Sequence, residues 1–174
     1  MTESSLTFQI WHQCKGGVMP KIISCGIVPI RKQENRIEIL LCMPREGKNA
    51  DFKSNFGGLG FLKGQVEIDE TYLEAAKREF GEESGDLEVE VYDKDTYFIQ
   101  NNPKKKIYIW PAKVLSTPFN EKKIDSNGVI HNHDWENAVV KFFDIINLPP
   151  IFRNQQKILS DLIDFIATNK EIII

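Results

Sequence analysis

The hydrophobic positions of this chain follow two periods. Ile22–Ile30, IISCGIVPI, is an unbroken apolar and largely β-branched run, the pattern of a strand buried on both faces. The polar stretch RKQENR then turns the chain into a second strand, Ile37–Met43. Leu87, Val89 and Val91 alternate with Glu88, Glu90 and Tyr92, as in a half-buried strand. Tyr97–Gln100 and Lys106–Val114 flank Asn101, Asn102 and Pro103, which predicts a hairpin. Val139–Ile145 is a last strand, ended by Pro149 and Pro150. The other period is helical. Leu73, Ala76 and Phe80 make one narrow stripe; Ile158, Leu159, Leu162, Ile163 and Ile166 make another within Asn154–Thr168. Between the second strand and the first helix, Arg45–Leu62 is rich in Gly, Lys and Asn and predicts a long loop. Strands around a central helix, with a second helix closing the chain, predict an α/β layered domain.

Composition narrows the function classes. The 174 residues suffice for one buried core, with no repeat or low-complexity tract to divide them. Residues 1–20 carry the least pattern and are expected to be an N-terminal extension to a domain over 21–174. A net charge of −3 gives no reason to expect DNA or an anionic membrane as the main partner. MTESSLTFQI lacks the basic start and apolar run of a signal peptide, and no stretch approaches a membrane span. Cys14, Cys25 and Cys42 are odd in number and show no paired metal spacing. Cys25 and Cys42 lie inside apolar runs and are expected as buried, inert thiols of a cytoplasmic protein.

The segment with chemical content is Gly64–Gly85, GQVEIDETYLEAAKREFGEESG. Thr71 and Glu74 have capping-box spacing, and Gly85 is a natural left-handed stop, so a helix is expected from Thr71 to Gly85. Beside its apolar stripe, Glu79, Glu82 and Glu83 fall within an arc of roughly 100°. Each like-charged pair costs roughly 0.2–0.5 kcal/mol, and Gly81 weakens the turn by about 1 kcal/mol relative to Ala. A cation among the carboxylates would offset that cost; a plain solvated acidic face is the competing reading. Oxygen-only ligands select a hard ion, Mg²⁺ or Mn²⁺, over zinc.

The spacing around the glutamates resembles the Nudix signature, G-x5-E-x7-R-E-U-x-E-E-x-G-U, where U is apolar. Gly64, Glu70, Arg78, Glu79, Phe80, Glu82, Glu83 and Gly85 match it, while the final U position holds Asp86. Seven exact letters would coincide by chance in about one window in 10⁸ at average usage. The resemblance implies an α/β/α sandwich with a mixed sheet and divalent-metal-dependent cleavage of a diphosphate bond in a nucleotide-like substrate. It implies metal ligation by Glu79, Glu82 and Glu83 with the Gly64 carbonyl. Glu82 or Glu83 would also orient or deprotonate the attacking water. Arg78 and Glu70 would form a supporting ion pair that holds the loop against the helix.

Outside the box, Lys63 in GFLKG resembles the F-x-K-G lead-in of Nudix enzymes acting on dinucleoside polyphosphates, with Leu62 where those usually have proline. Such a lysine suits a phosphate contact or a solvated loop. Arg45 suits a phosphate clamp or a plain surface position. Lys104, Lys105 and Lys106 read first as a solvated hairpin tip, with a phosphate contact as the lesser reading. His131, His133, Asp134, Trp135 and Glu136 cluster before the last strand without a third ligand spaced for zinc. Glu136 is the candidate there for an additional catalytic carboxylate, and Trp135 or Tyr108 for stacking on a base, unless they are core. The expected substrate is a dinucleoside polyphosphate or an RNA 5′ end. ADP-ribose, a sugar nucleotide or a non-catalytic binding role are the alternatives.

Overall fold

The apolar run at Ile22 becomes the central strand, because it has a neighbour to bury it on every side. A computed structural model describes residues 21–44, 58–84, 87–115, 137–169 and 171. In it β1, Ile22–Gln33, pairs parallel with Lys105–Val114 and antiparallel with both Arg36–Pro44 and Lys63–Gln65. In chain order these strands are β2 (Arg36–Pro44), β3 (Lys63–Gln65), β4 (Val89–Val91), β5 (Phe98–Asn101), β6 (Lys105–Val114) and β7 (Asn137–Asp144). The seven form one mixed sheet in the order β4-β6-β1-β2-β7, with β3 beside β1 and β5 beside β6. Helix α1 spans Tyr72–Ser84 and α2 spans Gln156–Thr168.

Strand parity separates the two cores. Cys25, Ile27, Tyr108, Trp110 and Ala112 point to one face and pack with Ala75, Ala76 and Phe80 of α1. Val28, Ile30, Ile107 and Ile109 point to the other and pack with Ile158, Leu162 and Ile166 of α2. The sheet therefore lies between two helices, the expected α/β/α sandwich, and not around one of them. Burial pushes the Cys25 thiol up to about 12, as befits a thiol used for packing. Among the described residues, no helix is long and apolar enough to cross a membrane.

Two stretches differ from the sequence expectation. Predicted loop residues Leu59, Phe61 and Leu62 are buried at 1%, 1% and 0% exposure. They end the loop as a core segment, bridged through Gly60 to Cys42 and through Leu59 to Ile151. The short strand β3 had no local signal, since its three residues Lys-Gly-Gln have little strand propensity and pair as a strand through β1. Elsewhere the differences are at boundaries. Strand β4 is shorter than the alternating stretch, and α2 begins after a 3-10 turn at Arg153–Gln155.

Gly81 offers a direct test of the helix reading. It is exposed on α1, and a methyl group there would meet nothing within 4 Å. Gly81→Ala should therefore raise stability by about 1 kcal/mol. That corresponds to a Tm gain of about 2–4 °C in a domain of this size. An unchanged or lower thermal midpoint would show that the glycine has a role the helix does not explain.

Candidate active site

Helix α1 begins where its sequence says it should. The Thr71 N–H donates to Glu74 Oε2 at 2.8 Å, and the Glu74 N–H donates to Thr71 Oγ1 at 3.3 Å. This reciprocal cap fixes the first turn. Seven residues beyond Thr71, Arg78 gathers the chain around itself. Its Nε and Nη2 donate to the two Glu70 oxygens at 2.9 and 3.0 Å. Nη2 also donates to the Gln65 carbonyl at 2.9 Å, and Nη1 to Glu79 Oε1 at 2.8 Å. Glu82 Oε2 lies 3.5 Å from the same Nη1. One planar cation thus ties β3, the β3–α1 turn and the acidic helix face together.

The turn is shaped to allow this. Asp69 adopts a left-handed φ of 66°, which a short polar side chain tolerates, and the turn delivers Glu70 to Arg78. Hydrogen bonds from Arg78, and then from the Glu67 N–H, hold the Glu70 carboxyl below the usual carboxylate range. The same Glu70 and Glu79 contacts raise Arg78 above its ordinary value.

The three helix glutamates sit at different depths. Glu83 is 7% exposed, the Glu79 side chain 14% and the Glu82 side chain 60%. Two carboxylates are thus largely withdrawn from water, and a third lies at the rim. Withdrawing carboxylates is costly unless positive charge meets them. Glu79 lies directly against Gly64: a Cβ built on that glycine would run into the Glu79 carboxylate. Only glycine lets the box's first backbone segment come that close.

This donor set fits a hard divalent ion. Every donor is oxygen, and the carboxylates and the Gly64 backbone converge from two elements. Among the described residues no three acidic, His or Cys side chains form a ready-made cage. That is compatible with Mg²⁺, which keeps several waters and takes one or two carboxylates together with substrate phosphates.

Lys63 opens β3, half-buried, opposite Gly26 of β1. Lys105 departs from its expected surroundings. It is a half-buried residue at the start of β6, not part of a solvated tip. Burial and the like charge of Lys63 push its ammonium down to about 8, with Glu79 opposing. The missed signal was parity: continuing the Ile109 and Ile107 face back one step reaches Lys105. Tyr108 proves to be core at 8% exposure, in ring contact with Tyr72, Tyr97 and Trp110. Arg45, Gly85, His131, His133, Trp135 and Glu136 lie outside the described residues.

The Lys105 shift carries a pH signature. The folded state holds this proton less tightly than the unfolded chain, whose value is the ordinary 10.5. The Lys105 contribution to stability should therefore grow as pH climbs from about 8 toward 10.5, while the Cys25 thiol, held above its ordinary 9.0, opposes it above about 9. Across that window the denaturant midpoint of wild type should gain on that of Lys105→Met as pH rises, since the two share every other titrating group. Equal pH slopes in the two proteins would remove the assignment.

A family model described as the NUDIX domain matches residues 20–162. No curated protein matches the chain. Among solved structures, the NUDIX domain of Shewanella oneidensis NrtR, complexed with ADP ribose, is 12% identical with a TM-score of 0.60. It covers 95% of this chain and 99% of its own. A Caenorhabditis elegans Ap4A hydrolase binary complex is 18% identical with a TM-score of 0.53, covering 84% and 98%. A NUDIX hydrolase from Nitrosomonas europaea is 20% identical with a TM-score of 0.50, covering 74% of this chain and 60% of its own. At these identities the structural likeness is one of fold. With the family model matched across most of its length, the chain is a member of the NUDIX family of pyrophosphohydrolases.

Proposed function

We propose that this protein hydrolyses a diphosphate bond in a nucleoside diphosphate linked to a second group, using Mg²⁺ or Mn²⁺. The observation that carries the reading is the carboxylate face of α1, with Glu79 and Glu83 withdrawn from water and Glu79 set against Gly64 and held by Arg78. Glu79, Glu82 and Glu83 with the Gly64 carbonyl would hold the ion. When bound it would neutralise phosphate charge and make water more acidic. Glu82, at the rim, is suited to accept a proton and pass it to solvent; Glu83 is the alternative, and Glu136 a further candidate. Arg78 and Glu70 keep the helix registered on β3, so the carboxylates stay put as charge develops.

Substrate choice rests on the F-x-K-G resemblance at Lys63, to which Lys105 adds a second positive charge. Two like charges that disfavour each other are best relieved by a ligand with several negative charges in a row. A chain of three or more phosphates does this better than the two of ADP-ribose. We therefore infer a dinucleoside polyphosphate or an RNA 5′ end as substrate, with Arg45 as a further phosphate contact. The solved relatives support two readings, since one is an Ap4A hydrolase and another holds ADP ribose. A non-catalytic module would have no need to keep every carboxylate of the box.

The test is a panel of diadenosine tetraphosphate, triphosphate-ended RNA and ADP-ribose with Mg²⁺, scored by product identity and kcat/KM. The polyphosphates should be preferred. Preference for ADP-ribose would overturn the substrate ranking, and no turnover of any compound would overturn the enzymatic reading.

A further inference from the structure

Gln155 is 2% exposed, one of few buried polar side chains among the described residues, and it stands far from the box in sequence. Its Oε1 accepts the Phe61 N–H at 2.9 Å in a fully buried hydrogen bond. Phe61 is two residues before Lys63 and three before Gly64. The bond belongs to a wider clasp. The Leu59 N–H donates to the Pro150 carbonyl at 2.8 Å, and the Phe152 N–H donates to the Leu59 carbonyl at 2.9 Å. On the other side, Gly60 and Cys42 exchange both backbone hydrogen bonds, at 2.8 and 2.9 Å. Gly60 is required for the fit, because a Cβ there would sit 2.9 Å from the Phe152 ring and 3.2 Å from Gln155 Oε1.

The buried Phe61 N–H would be costly without an acceptor, and its own strand ladder supplies none. Backbone ladders hold Leu59 and Gly60, and β1 holds Lys63 and Gly64. Between those two anchored stretches the backbone is held at Phe61 by a side chain from the entry to α2. On the proposed function, we infer that Gln155 is a positioning residue: it sets where the Lys63–Gly64 backbone stands relative to Glu79, and so couples α2 to the active site. It touches neither substrate nor ion. It acts through Phe61.

The experiment compares wild type with Gln155→Met, which keeps the length and removes the acceptor, and Gln155→Glu, which keeps an acceptor oxygen. Three quantities are read well below the melting range: amide exchange from Phe61 to Gly64, Mn²⁺ affinity by calorimetry, and kcat with KM. In Gln155→Met the Phe61 and Gly64 amides should exchange at least about tenfold faster, Mn²⁺ binding should weaken, and kcat should fall about tenfold or more, because small displacements of positioned groups are expensive. KM should change less than kcat, because the long flexible side chain of Lys63 can follow a small backbone shift that the Gly64 carbonyl cannot. Gln155→Glu should recover most of the loss. A lower melting point with unchanged Mn²⁺ affinity and kcat would reduce Gln155 to a packing role and overturn the inference. If Gln155→Met does not fold, wild type and Gln155→Glu decide: rapid Phe61 exchange in wild type, or loss of kcat without rescue in Gln155→Glu, overturns it. A wild type that neither binds Mn²⁺ nor turns over substrate refutes the proposed function. The clamp is then judged on amide exchange alone, where full Phe61–Gly64 protection in Gln155→Met overturns it.

Discussion

Glu83→Gln should lower kcat by about 10²-fold or more while leaving the fold intact. The magnitude follows from the several kcal/mol of charge stabilisation expected of a correctly held metal, at 1.36 kcal/mol per tenfold. The fold is spared for a separate reason. Glu83 is 7% exposed and lies on one helix face with Glu79 and Glu82, so neutralising it removes both a desolvation cost and a like-charge repulsion. Without metal the variant should melt no lower than wild type. With Mg²⁺, wild type should gain stability by binding linkage and the variant should gain less. Glu82→Gln should also lose kcat heavily, but its side chain is 60% exposed, so its metal-free melting point should hardly move. Chelation should abolish turnover in every active form. Full activity in Glu83→Gln would refute the metal assignment, and so would a Mg²⁺-induced shift equal to wild type.

Gly64→Ala should lose about 10²-fold in kcat/KM with only a modest change in stability, because a misplacement of about 1 Å in a catalytic group can cost that much. The three atoms nearest the added Cβ all belong to the carboxylate of Glu79. That carboxylate is the far end of a flexible side chain. It can rotate away, so the domain survives the substitution. The cost falls on function, since Glu79 would leave both Gly64 and Arg78 Nη1, its partner at 2.8 Å. Circular dichroism melts beside kcat/KM measurements separate the two effects. An active Gly64→Ala would mean that Glu79 does its work elsewhere. An unfolded one would mean that β3 cannot yield at all.

What the sequence by itself determined was whatever depends on residues close together in the chain. The capping pair Thr71 and Glu74, the arc of Glu79, Glu82 and Glu83, and the spacing of Glu70 to Arg78 all follow from one helix and the turn before it. Helical geometry places such residues without help from the rest of the fold. The apolar run of β1 was equally legible, because burial on both faces leaves no polar position to interrupt it. The tertiary structure decided what depends on distant partners. Strand β3 exists because β1 offers it hydrogen bonds and Arg78 reaches the Gln65 carbonyl from α1. Leu59, Phe61 and Leu62 looked like loop because their burial comes from β2 and from residues about ninety positions later. Lys105 looked solvated because three lysines in a row mask a strand's alternation. The parallel pairing of β6 with β1 carries the strand back to Lys105, opposite Ile22, and so sets it on the face shared with Ile107 and Ile109. Gln155 carried no signal at all: a single buried amide has no period, and its partner is a backbone N–H that sequence cannot mark. Local periodicity is written in the side chains, whereas the pairing of remote backbone is settled by which buried polar groups find a partner when the sheet and helices close.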